Sequence, residues 1–157
     1  MTTRDPLEDT ELTLLLGLAF QSVLTEFTAR LEAAGHHGLR PVHGMLLQAL
    51  KASPATSTEL ADHLGVTKQA AGQIVDGLER RGYVERLPHP AGGRRKLVAL
   101  TPRAEEHLRV AGQVLHELEA ELADRLAGAG LDLPRTELAA IVRGLSGERV
   151  PPLRPGW

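Results

Sequence analysis

The chain has 157 residues, 42% of them hydrophobic and 24% charged, an ordinary balance for one domain with a core of its own. The absence of cysteine excludes disulfides, thiolate metal sites and cysteine-based redox sensing, and one Trp, one Tyr and two Phe are too few rings for a platform that stacks single-stranded bases. The net charge of -2 divides unevenly: residues 64–103 carry eight Lys/Arg against three acids, or +5, and the remainder carries -7.

Local charge governs attraction to phosphate, so a basic segment on an acidic chain is compatible with a nucleic-acid partner. No apolar run is read as approaching the roughly 20 residues that span a bilayer, and the acidic, polar N-terminus is unlike a signal peptide. A cytoplasmic protein with no membrane partner is therefore the expectation.

In chain order, Leu12, Leu16, Ala19, Phe20, Val23, Phe27 and Leu31 recur at steps of three and four, which predicts an amphipathic helix from about Glu11 to Ala34, stopped by Gly35. Pro41 suits the first turn of a second helix to about Ala52, with Val42, Met45, Leu46, Ala49 and Leu50 inward. Ser57 is read as the N-cap of a short third helix that buries Leu60, Ala61 and Leu64 and ends at Gly65. Thr67 caps a fourth helix, to about Arg81, whose inward residues are Ala70 or Ala71, Ile74, Leu78 and Val75. Its outward edge is Lys68, Gln69, Gly72, Gln73 and Asp76.

Tyr83–Leu87 and Lys96–Leu100 are β-prone runs separated by Pro88, Pro90, Gly92 and Gly93, the pattern of a hairpin with a projecting loop. Pro102 opens a long helix to about Leu126, with Leu108, Ala111, Leu115, Leu118, Leu122 and Arg125 or Leu126 along a near-heptad seam. Gly128 and Gly130 end it, Pro134–Leu145 makes a last helix, and the Pro-rich tail from Val150 to Trp157 reads as extended.

A helix, a tight turn, a second helix and a cationic hairpin form the layout of a winged helix-turn-helix. The fold class expected is mostly α with a small β-hairpin wing. The major groove of DNA admits one α-helix, and base edges meet the side chains near its N-terminus. Thr67, Lys68, Gln69 and Gln73 occupy that edge, and Gly72 would let the backbone approach closely. Arg94, at the glycine-hinged tip, suits a minor groove, while Arg86, Arg95 and Lys96 suit phosphates. The first and fifth helices expose more apolar surface than the small winged module can cover, which points to a homodimer.

His36, His37 and His43 lie close in sequence, and Glu26 or His107 are candidates to approach them as zinc ligands. No histidine pair among these has the i, i+4 spacing of a strong helical motif, so no metal and no cofactor are assigned, and a zinc-responsive regulator stays an alternative. No phosphate loop or nucleophile elbow is present in the sequence, and no enzyme activity is expected.

Two runs then carry a family resemblance: ELADHLGVTKQAAGQIVDGLERRGYVER, from Glu59 to Arg86, and GRRKLVALTP, from Gly93 to Pro102. In order and spacing they resemble the MarR family of bacterial transcription regulators, and the order of the six helices extends that resemblance over nearly the whole chain. It implies one domain over residues 1–157, with dimerisation helices at 11–34 and 102–157 and a winged DNA-binding region at 41–101. It also implies a homodimer on an inverted-repeat operator of double-stranded DNA, usually a repressor released by a small-molecule effector. The effector crevice would be lined by residues such as Phe20, Phe27, His43 and Leu47. The wing departs from the family pattern. Gly92 stands where an acid often braces the tip arginine, and His89 stands where a further Asp is common. The alternative from another class is a winged-helix protein-interaction module that does not touch DNA.

Overall fold

The computed structural model describes residues 5–153. A 3-10 turn at Pro6–Asp9, which the sequence patterning does not anticipate, precedes six helices: α1 (Leu12–Ala33), α2 (Pro41–Leu50), α3 (Ser57–Leu64), α4 (Lys68–Arg80), α5 (Pro102–Gly128) and α6 (Arg135–Ser146). Between α4 and α5 lies an antiparallel hairpin of β1 (Val84–Pro88) and β2 (Lys96–Leu100). The expected order and fold class are thus present, with ends displaced by a few residues. Val150–Leu153 follow α6 without regular structure, and the rest of the expected extended tail lies outside the described residues.

The core sits in the central module. Leu46, Leu47 and Leu50 of α2, Leu60 and Leu64 of α3, and Val75 and Leu78 of α4 pack with Tyr83, Val84, Val98 and Ala104. The α2–α3 linker adds a bridge to the hairpin, where Ala55 and Val98 exchange backbone hydrogen bonds of 3.1 and 2.8 Å. The linker between two helices therefore rests against a wing strand through backbone bonds, beside the apolar packing of the helices themselves.

α3 starts with a reciprocal cap. The Thr56 hydroxyl accepts from the Glu59 N–H, and the Glu59 carboxylate accepts from the Thr56 N–H at 2.7 Å. The N-cap is Thr56 and not the expected Ser57, because only Thr56 places a hydroxyl three residues ahead of a Glu. The Thr56 N–H, and after it the Thr56 hydroxyl, donate to the Glu59 carboxyl and hold it below its usual range. Gly65 ends α3 with φ +66°, a left-handed conformation that glycine adopts without steric cost, and the Val66 N–H closes the turn on Ala61 O.

Outside this module the helices are thinly covered. α1 packs along α5, yet Leu31 is its one buried residue, and α6 buries none. Leu12, Leu14, Leu18, Leu115, Leu138, Val142 and Leu145 are all exposed. On α5 the buried positions are Ala104, His107, Val114 and Leu118; of the expected seam, Leu118 is buried, Leu108, Ala111, Leu122 and Leu126 are half-buried, and Leu115 is exposed. By length and composition, Leu12–Ala33 is sufficient to cross a membrane, and its most apolar 18-residue stretch contains no buried residue. This corrects the expectation that no segment reaches that length: charges enter the helix only at Glu26, Arg30 and Glu32.

Candidate nucleic-acid interface

The turn Gly65–Val66 sets α4 across α3. The Thr67 hydroxyl accepts the Ala70 N–H at 3.1 Å, which satisfies one of the free donors of the first turn. Ala71, Val75 and Leu78 hold α4 to the core, leaving Lys68, Gln69 and Gln73 exposed at its leading end. Among the described residues none of these three has an ion pair or a side-chain hydrogen bond within the chain. A Cβ built on Gly72 meets nothing within 4 Å, so that backbone is open to an approaching surface.

The wing is paired from Val84 opposite Leu100 to Pro88 opposite Lys96. Beyond that, His89 N–H donates to Arg95 O at 3.3 Å, Gly92 N–H donates to His89 O at 2.9 Å, and Ala91 N–H donates to His89 Nδ1 at 3.1 Å. The residue standing where the family favours an acid therefore folds the tip itself. Gly92 and Gly93 turn the chain with φ +74° and +79°. Arg94, Arg95 and Lys96 project as exposed cations with no ion pair among the described residues.

Arg86 is placed differently from the sequence expectation. Its Nη2 donates to Asp76 Oδ1 at 2.5 Å and its Nη1 to Glu79 Oε2, so both ends of the guanidinium are committed within the chain. Burial opposes its charge, but the hydrogen bonds and charges of the two carboxylates outweigh this and raise its pKa. The sequence places Arg86 at a phosphate; in the DNA-free chain its guanidinium is held by Asp76 and Glu79. The signal was in the sequence: Asp76 and Glu79 are three apart on one helical face, a short turn before an arginine on the next strand.

Sequence reading also passed over two arginines that fix the far end of α4. Arg81 Nη1 donates to Gly38 O in the α1–α2 loop, and Arg103 Nη1 donates to Arg81 O at 2.8 Å while its guanidinium lies 4.7 Å over the Tyr83 ring. Neither has a local motif, because its partners are backbone carbonyls brought together by the fold.

The histidines separate into two sites. His43 Nδ1 accepts the Arg40 N–H at 2.9 Å. His107, 2% exposed, stands edge-on to His36 at 4.8 Å and to Tyr83 at 5.7 Å between ring centroids, and its Nδ1 has no hydrogen-bond partner. Among the described residues no three or more His, Asp or Glu side chains are grouped to hold a metal ion, so the zinc alternative gains no donor set. The four expected effector residues differ in burial. Leu47 is fully buried in the core and His43 nearly so, whereas Phe20 and Phe27 lie half-buried on α1. A cavity of about 240 Å³ lies instead between α1 and α5, lined by residues that include Glu26, Arg30, Leu118, Glu121 and Arg125.

A helix presented on a tight turn, with a cationic hairpin beside it and long helices flanking both, defines a winged helix-turn-helix protein. Residues 37–95 match the model of the MarR family. The fold resembles that of a cysteine-to-serine mutant of Escherichia coli MarR complexed with operator DNA, at 25% identity, 88% of this chain, 94% of that chain and TM-score 0.67. It is also similar to Rv1404 from Mycobacterium tuberculosis (24% identity, 89% and 97% of the two chains, TM-score 0.69). A third likeness is to the transcriptional repressor CouR bound to a 23-mer DNA duplex (24%, 93% and 99%, TM-score 0.67). No curated protein matches the chain. The chain has the fold and the winged module of the MarR family of transcription regulators.

Proposed function

We propose that this protein is a cytoplasmic, homodimeric transcription regulator that binds an inverted-repeat operator in double-stranded DNA and represses until a small-molecule ligand releases it. The observation that carries DNA binding is the pair of unengaged surfaces. The leading edge of α4 and the tip of the wing hold Lys68, Gln69, Gln73, Arg94, Arg95 and Lys96 exposed, without internal ion pairs among the described residues. Gln and Lys are suited to adenine and guanine edges in the major groove, Arg94 to the minor groove, and Arg95 and Lys96 to phosphates. Thr67 starts this edge with its hydroxyl used as a helix cap, which leaves the O–H free to donate to a phosphate.

The scaffold supports a dimer, because among the described residues α1 buries only Leu31 and α6 buries none, which leaves long apolar stretches exposed. The family likeness, together with the DNA-bound MarR and CouR structures, supports the operator. Release by a ligand enters from that likeness too. The cavity between α1 and α5 is below the about 300–1,000 Å³ of most ligand sites and is not assigned to it.

The test is selection of duplexes from a random pool by the purified protein, followed by titration of variants on the winning sequence. Lys68→Ala or Gln73→Ala is expected to relax sequence preference by about 1–3 kcal/mol. Arg95→Ala is expected to lower the salt slope by about 0.9 per lost phosphate contact with preference retained. Affinity unmoved by all three would favour a protein-interaction module instead.

A further inference from the structure

The geometry points to Arg86 as a positioning residue for base recognition, one that ties the first wing strand to the reading helix through Asp76 and Glu79 without touching DNA. This rests on the DNA-binding reading above. Arg86 lies on β1 opposite Val98, a fully buried residue that β2 contributes to the core. Its guanidinium reaches α4 with one Nη group on each carboxylate, Asp76 at 2.5 Å and Glu79 beside it. Asp76 and Glu79 are one helical turn apart, so the planar fork spans that turn, which the point charge of a lysine does not reproduce.

The need for such a tie follows from what else holds α4. Arg81 and Arg103 hold the far end of α4 through backbone carbonyls, but along its length the contacts are Ala71, Val75 and Leu78, and apolar packing has no preferred direction about the helix axis. A fork bonded to two points along one face is directional. It fixes the rotation of α4, and with it the aim of Lys68, Gln69 and Gln73, against the strand that carries Arg94. The same bonds offset two acids on a helix that must approach phosphates. Arg86 is 27% exposed at its side chain, less than Asp76 at 52% or Glu79 at 40%, so the cation is the inner member of the cluster.

The proposal separates from a phosphate contact by three readouts. Wild type, Arg86→Ala, Arg86→Lys, Asp76→Asn/Glu79→Gln and the triple variant with Arg86→Ala are titrated on the duplex selected by wild type and on a scrambled duplex. Salt runs from about 50 to 200 mM. Arg86→Ala is expected to lower the preference for the selected over the scrambled duplex roughly tenfold, with the salt slope unchanged. Arg86→Lys is expected to recover only part of it, and Arg86→Ala is expected to cost nothing further once both acids are neutral. A slope flattened by about 0.9 per contact, with Asp76→Asn/Glu79→Gln binding more tightly than wild type, overturns the proposal in favour of a phosphate contact.

Hydrogen exchange of the free protein reads the brace without DNA. Arg86→Ala is expected to speed exchange of the α4 amides, and Arg95→Ala to leave them unchanged. If wild type selects no duplex, the DNA reading fails while this measurement still stands. Unchanged α4 exchange in Arg86→Ala overturns the brace itself.

Discussion

His43 and His107 are both buried imidazoles, but they are accommodated differently. His43 has its Nδ1 satisfied by a backbone N–H, and His107 leaves Nδ1 bare between two rings. Burial lowers both pKa values to about 4, helped by the charges of Arg40 and Arg81 at His43 and of His36 at His107. Glu106 also faces His36, and its own charge is held by Arg109. The folded protein therefore keeps both rings neutral where an unfolded histidine would already be charged. Above about pH 6.5 the two states bind the same number of protons at these sites and neither histidine penalises folding. As pH falls from there towards 4 the unfolded chain takes up protons first, and each histidine removes up to roughly 3 kcal/mol. Below 4 the loss levels off. Urea unfolding at pH 7.5 and pH 5 is expected to show this drop, and His107→Leu to remove about half of it. An undiminished drop in that variant would place the acid sensitivity elsewhere. None of this was legible in the sequence, where His107 is one of seven histidines and its burial depends on the α1–α2 loop folding back over α5. Thr67, by contrast, was legible as a cap, because a cap bond is made within four residues.

Helices and strands were legible to the extent that their periodicity belongs to them alone. α4 is the clearest: of the inward positions expected, Ala70 or Ala71, Ile74, Val75 and Leu78, the structure buries Ala71, Val75 and Leu78 and half-buries Ala70 and Ile74. α1 and α5 were less so, because steps of three and four identify an apolar stripe, whereas the partner decides which part of it is covered. On α1 the stripe was read from Leu12 to Leu31, and only Leu31 is buried. That exposed stripe is also why the helix meets the length and apolarity of a bilayer span. We expect a second copy of the chain, not lipid, to cover it, since Arg30 pairs with Glu26 on its own helix and with Glu121 of α5, which fixes α1 to the rest of the protomer. Leu14→Asp with Leu18→Asp is expected to shift sedimentation from dimer to monomer, with no binding of either protein to neutral vesicles. Flotation of wild type with those vesicles would reverse this reading.

Across the molecule the charge is partitioned as the structure is. The segment of +5 forms the reading helix, the wing and their connections, and the acidic remainder forms the long helices. That much was visible in the sequence, because composition needs no coordinates. Which cations are available was not, because Arg81, Arg86 and Arg103 spend their donors inside the fold, on Gly38 O, on Asp76 with Glu79, and on Arg81 O. Lys68, Arg80, Arg94, Arg95 and Lys96 remain exposed and without an ion pair among the described residues. Three of those five sit together on a tip that two left-handed glycines turn. An exposed loop with consecutive basic residues is also the substrate of trypsin, which needs a short extended stretch of accessible backbone. Limited digestion is expected to begin at 94–96, cutting the wing while the helices stay whole, and the selected duplex to slow that first cut more than a scrambled one. Under the proposed mode of binding the tip is thus a built-in timer of occupancy, readable on a gel without label or reporter.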